Sequence, residues 1–229
     1  SFISEGIPFG YVQADGFYGN DSKFISGLYE RNVSFICDIP SDTLVYITLP
    51  EPVLPKRQGN RGRFPTKLKI LNTSPVSVKW LAEIQKTWEP VFVRLTDRGI
   101  KTADCAVLTV WRRQNGNHVN VPVRLIMIRD PETDAIRFAF SNIMDADTKV
   151  IAKMQANRYW IERNFEDAKG LCDMDSFRGR NWNSWHHHIA LVALSLLFLL
   201  MIQLNFKKKG NILSLDQIVS IFRLKNPLR

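Results

Sequence analysis

Two carboxylates in this chain stand where chemistry is feasible. Asp15 ends the run Tyr11-Val12-Gln13-Ala14, which reads as a short strand, and it precedes Gly16. A carboxylate at a strand's carboxyl end is where an α/β sheet commonly presents an acid to a ligand, although Asp before Gly also serves plain turns. Glu162 lies in the segment Asn157 to Lys169, which reads as a helix. At about 100° per residue, Arg158, Glu162 and Lys169 fall within roughly 40° of one another. Met154, Ile161, Phe165 and Ala168 form an apolar stripe beside them, so the carboxylate is expected at the rim of a core, between two cations. The plain alternative is a solvated face laced with i,i+4 ion pairs. Two hard oxygen ligands suit magnesium, and Arg158 and Lys169 are of the kind that hold phosphate in metal-assisted phosphoryl transfer.

Other chemistries find less support. His186, His187 and His188 are adjacent, so on a helix they point about 100° apart and cannot converge on one metal. They read as interfacial or DNA-facing polar residues. No Ser or Cys sits in a nucleophile motif, and no Gly-rich phosphate loop is present. Cys37, Cys105 and Cys172 are far apart and form no C-x-x-C pair, which disfavours a zinc site or a disulfide framework. They read as small buried apolar residues in a reducing setting.

The elements that must position these residues follow. After Asp15, Asn20 or Asp21 can cap a helix from about Ser22 to Glu30, and Val33 to Cys37 makes the next strand, a unit that suggests a mixed sheet. From Pro40 the texture changes to proline-punctuated short apolar runs. Strands are expected at Val91–Leu95, Ala106–Trp111, Val121–Ile128 and Ile136–Phe140, with turns at Gln114–Asn117 and Asp130–Asp134 that suit antiparallel hairpins. The run Ile189 to Ile202 would span about 21 Å as a helix, short of the roughly 30 Å of bilayer hydrocarbon, so a buried core helix is expected. The flank Lys207-Lys208-Lys209 keeps a membrane-anchored reading of 189–202 open. A short amphipathic helix, 216–222, closes the chain.

The 229 residues are 45% hydrophobic and carry a formal charge of +9, enough for a real core and suited to a polyanionic partner, nucleic acid first. The most basic stretch, Pro55 to Lys69, holds six cations, including Lys56, Arg57, Arg61 and Arg63, and no acid. It reads either as a solvated loop or as an arm that contacts DNA.

At this level the sequence resembles bacterial insertion-sequence transposases of the DDE, RNase H-like superfamily, in the group with a Y-x-x-R-x-x-x-E-x-x-x-x-x-x-K signature. Val12, Ala14, Asp15, Tyr18 and Gly19 match the V-x-A-D-x-x-Y-G of the second acidic motif. Arg158, Ile161, Glu162, Phe165 and Lys169 match the family helix, and Arg180, Trp182, Trp185 and His188 match R-x-W-x-x-W-x-x-H. The similarity runs from about Ile7 to Gln203. Two positions depart from the pattern: the signature Tyr falls on Gln155, and nothing before Asp15 supplies the family's first catalytic Asp, Glu5 being too close and the wrong residue.

The resemblance implies an RNase H-like α/β core (1–40) interrupted by a β-rich insertion (41–143), core helices carrying the catalytic Glu (144–206) and a tail helix (207–229). It implies Asp15 and Glu162 as catalytic metal ligands for two Mg2+ (or Mn2+) ions, with Arg158 and Lys169, and beyond them Lys56, Arg57, Arg61 and Arg63, on DNA phosphates. The implied partner is double-stranded DNA, handled by a homodimer in a synaptic complex in the bacterial cytoplasm, at the nucleoid. Without an initiator Met or a first Asp, the chain is expected to be an N-terminally truncated fragment with an incomplete site. A catalytically inactive remnant that still binds DNA is the alternative.

Overall fold

A computed structural model describes residues 5, 6, 8–56, 64–96, 99–114, 117–210 and 213–225. The chain divides into two compact units, 1–156 and 157–229.

The first unit is built on a mixed sheet. The strands are β1 (Val12–Ala14), β2 (Phe35–Ile39), β3 (Leu44–Tyr46), β6 (Val76–Ser77), β7 (Glu89–Thr96), β8 (Gly99–Gln114), β9 (Asn117–Arg129) and β10 (Ile136–Ser141). Their order is β1-β2-β10-β9-β8-β3-β6, with β7 also on β8, so β1 is an edge strand. β4 (Pro52–Val53) and β5 (Lys69–Ile70) form a separate small ladder. β1 and β2 run parallel, Ala14 beside Cys37, and β2 meets β10 antiparallel, Cys37 beside Phe140. The expected strands at 91–95, 106–111, 121–128 and 136–140 are all present, and the hairpin pairings are antiparallel. They are not segregated from the N-terminal strand-helix-strand unit: β10 hydrogen-bonds directly to β2, so one sheet runs through both.

Period-two alternation explains why that sheet is covered on both faces. Phe35, Cys37, Leu125, Met127, Phe138 and Phe140 point into one core, with Ile25 and Leu28 of α2 (Ser22–Glu30) and Val78 and Leu81 of α3 (Val78–Ile84). The intervening Ile36, Ile126 and Ala139 point into the other, with Cys105, Ile151 and Ala152, the last two on α4 (Thr148–Ala156). Asp21 caps α2 by accepting from Lys23 N at 2.8 Å. Burial pushes the thiols of Cys37 and Cys105 up to about 12, as inert core cysteines require.

The second unit is helical: α5 (Arg158–Cys172), α6 (Trp182–Lys208) and α7 (Leu215–Lys225). Leu199, Leu215 and Ile218 form its small core, with Leu171, Cys172 and Ile202 against it. Two sequence expectations are corrected here. The stripe of α5 does not face a core at Ile161 and Phe165, which are 46% and 50% exposed; α5 packs through Ala168, Leu171 and Cys172 in its last turns. The run 189–202 is the middle of a 27-residue helix, because nothing between Gly179 and Gly210 breaks it and Trp182 to His188 extend it backwards. Only 11% of its apolar window is buried, chiefly Val192 and Leu199, so it is neither short nor a core helix within the described residues. By length and composition alone it could cross a bilayer. Gly210, at φ +84, ends it in the left-handed region.

Candidate functional site

Asp15 follows β1 directly and caps α1 (Gly16–Gly19). Its Oδ1 accepts from Phe17 N at 3.1 Å and Tyr18 N at 3.4 Å, so the turn role and the strand-end role coincide in one residue. The carboxylate is exposed, and its Oδ2 has no hydrogen bond among the described residues. One oxygen fixes the side chain while the other is presented outward.

The spacing from Asp15 to Gly19 has a steric cause. A Cβ on Gly19 would sit 1.8 Å from the carbonyl oxygen of Asp38, so only glycine lets α1 lie this close to β2. The turn that aims Asp15 is thereby pressed onto the neighbouring strand.

Beside it lies a polar network that sequence inspection missed. Gln155, 6% exposed at the end of α4, donates from Nε2 to Asp38 Oδ1 at 2.5 Å. Gln13 on β1 donates from its Nε2 to the Gln155 carbonyl at 2.8 Å and to Gln155 Oε1 at 3.2 Å. Tyr11 adds an O–H bond to the Met154 carbonyl at 3.3 Å. The position where the resembled signature has Tyr is thus a buried amide that fastens α4 to β1 and β2. A period-two reading of β1 puts Tyr11 and Gln13 on one face, but only the fold shows that α4 meets it.

Glu162 lies in the second unit, on α5, 59% exposed at its side chain, with Arg158 Nη2 at 3.4 Å from Oε1. The expected ion-pair face is there. Lys169 is exposed on the same helix without an ion pair among the described residues. Next to it, Arg163 Nη2 bonds the buried Asp167 at 2.9 Å and Nη1 reaches Glu166 at 3.4 Å. Asp167 is thus buried and committed to Arg163, whereas Glu162 and Glu166 are both exposed and each lies 3.4 Å from one arginine. Of the basic segment, Lys56 is exposed, while Arg57, Arg61 and Arg63 lie outside the described residues.

Asp15 and Glu162 each offer a hard oxygen donor of the right kind for a divalent cation. Among the described residues no three His, Cys, Asp or Glu side chains converge as a metal site. Each carboxylate fits as one ligand, and the described set does not complete a cage.

No curated protein matches the chain significantly. Residues 1–100, which contain β1, Asp15, α1 and β2, match the family described as DDE superfamily endonuclease. With the mixed α/β sheet, that match supports a relationship of this part of the chain to DDE-type transposases and nucleases, whose substrate is DNA.

Proposed function

We propose that the chain is part of a DNA transposase of the insertion-sequence type, with an RNase H-like core, that cuts and rejoins phosphodiesters at element ends. The observation that carries this reading is Asp15, held by two backbone N–H groups at the carboxyl end of β1 with one oxygen presented outward, inside the segment that matches the endonuclease family. Asp15 and Glu162 are each proposed as a ligand of a separate divalent cation, two Mg2+ or Mn2+ ions in the intact enzyme, which would polarise the scissile phosphate. The chain's own part is to hold Asp15 rigid through the α1 cap and Gly19, and to place Arg158 and Lys169 against DNA phosphates. Lys56, Arg57, Arg61 and Arg63 add sequence-independent phosphate contacts. The partner would be double-stranded DNA, engaged as a dimer in a synaptic complex in the cytoplasm at the nucleoid.

A second reading is favoured by the formal charge of +9 and the exposed Lys56 and Lys169: a chain that binds DNA through its cations without cutting it. Plasmid nicking in Mg2+ or Mn2+, run beside duplex binding by fluorescence anisotropy, separates the two. On the first reading Asp15→Asn and Glu162→Gln abolish nicking and keep duplex affinity within about twofold. Nicking that survives both variants overturns the site; duplex binding without nicking in the unaltered chain supports the second reading.

A further inference from the structure

The start of α6 carries an aromatic cluster that neither carboxylate uses. Asn181 caps the helix, accepting from Asn183 N at 2.9 Å, and so fixes the direction of the first turn. Trp182 and Trp185, three residues apart on one side of the helix, stack with centroids 5.4 Å apart and planes 19° from parallel. His186 stands edge-on to both, at 4.5 Å and 5.2 Å. This is not a core: Trp182 is 69% exposed and Trp185 39%. A large indole with one face on its neighbour and the rest in water is an open stacking platform.

The segment before the helix brings charge to it. His188 bonds the Asp173 carbonyl at 3.1 Å and stacks on Phe177 at 5.3 Å, which folds the chain back against the first two turns. Gly179 lets the Phe177 ring lie close, since a Cβ there would meet the ring at 2.6 Å and make it shift. The turn leaves Arg178 and Arg180 exposed, with no ion pair to either among the described residues. Two exposed guanidinium groups followed by a pair of exposed indole faces match the chemistry of a nucleic-acid strand, whose bases have π faces and whose phosphates follow at each step.

We propose that Trp182 and Trp185, with Arg178 and Arg180, form a binding site for an unpaired nucleobase and its flanking phosphates in single-stranded DNA. Trp182 supplies the stacking face, and the two arginines hold the backbone. The proposal shares with the proposed function only the premise that DNA is the partner. It assigns this cluster a preference for unpaired strand that Asp15 and Glu162 do not require.

The test uses the full chain and three oligonucleotides: a blunt duplex, the same duplex with a short 3′ overhang, and the overhang strand alone, with 2-aminopurine at an unpaired position of the last two. The unaltered chain should quench 2-aminopurine and bind the overhang duplex on the order of tenfold more tightly than the blunt one. Trp182→Ala should remove the quenching and most of the preference, and Trp182→Phe should keep much of both. Circular dichroism confirms that helix content is unchanged. Equal affinity for blunt and overhang duplexes, or quenching that survives in the Trp182→Ala, Trp185→Ala double variant, overturns the site. So does tryptophan-dependent binding to anionic phosphatidylglycerol vesicles without any binding of the oligonucleotides. Quenching of the single strand without duplex binding sustains this site while refuting the duplex-directed role.

Discussion

The two units solve the problem of burying apolar surface in opposite ways. In the sheet unit nearly every described apolar side chain of β2, β9 and β10 other than Val121 is covered, on both faces, and the buried amide of Gln155 is hydrogen-bonded. In the helical unit the longest apolar element is covered on one stripe only: Val192 and Leu199 are buried, while Leu191, Leu194, Leu197, Phe198, Met201 and Leu204 are all more than half exposed. Hydrophobicity of composition therefore does not measure contribution to folding here. The moderately apolar sheet strands are core, and the strongly apolar helix is mostly surface.

The largest expected effect separates the units directly. Leu125→Ala, at a fully buried position of β9, should lower stability by about 2–5 kcal/mol, whereas Leu194→Ala on α6 should change it by less than about 0.5 kcal/mol in urea denaturation followed by circular dichroism. Comparable losses would break the contrast. Next in size, Gln155→Leu deprives Asp38 and Gln13 of a buried partner and should cost about 1–3 kcal/mol, with hydrogen exchange at β1 rising first.

The buried thiols give a pH test of the sheet unit. Cys37 and Cys105 keep their protons in the folded state up to about 12, above the ordinary 9.0. As pH rises past 9.0 the unfolded chain loses protons that the folded chain retains, so stability falls, and none of this contribution is lost below it. The urea midpoint should drop as pH rises from 9.0 to about 12, less so in Cys37→Ala. Alkylation below that window should label Cys172, the partly exposed thiol of the helical unit, before either of the others. The smallest effect belongs to the exposed pair Arg158 and Glu162: Glu162→Gln should alter stability by about 0.3–0.5 kcal/mol, and the difference should fade in high salt.

Much of the sheet was legible because alternation in Val121–Ile128 and Ile136–Phe140 is a local signal, and the fold needed only to pair the strands. The position of α5 was equally legible from its period. Its burial was not, because amphipathicity at Ile161 and Phe165 states a preference for cover without saying whether a neighbour supplies it. Asp15 was found through its strand and its glycine, both adjacent in sequence. The bonding role of Gln155 was not legible, because its partners lie 117 and 142 residues away and a lone Gln near a helix end has no local pattern. The length of α6 was underestimated for a simpler reason: Trp182 to His188 are not aliphatic, so an apolar run excludes them although the helix does not.

The uncovered flank of α6 also bears on how this protein can be handled. A native chain with that much accessible leucine should bind the dye ANS and be retained by hydrophobic chromatography resins while fully folded. Dye fluorescence, ordinarily a sign of a loosened interior, would here register a surface helix, and thermal shift curves would start from a bright baseline.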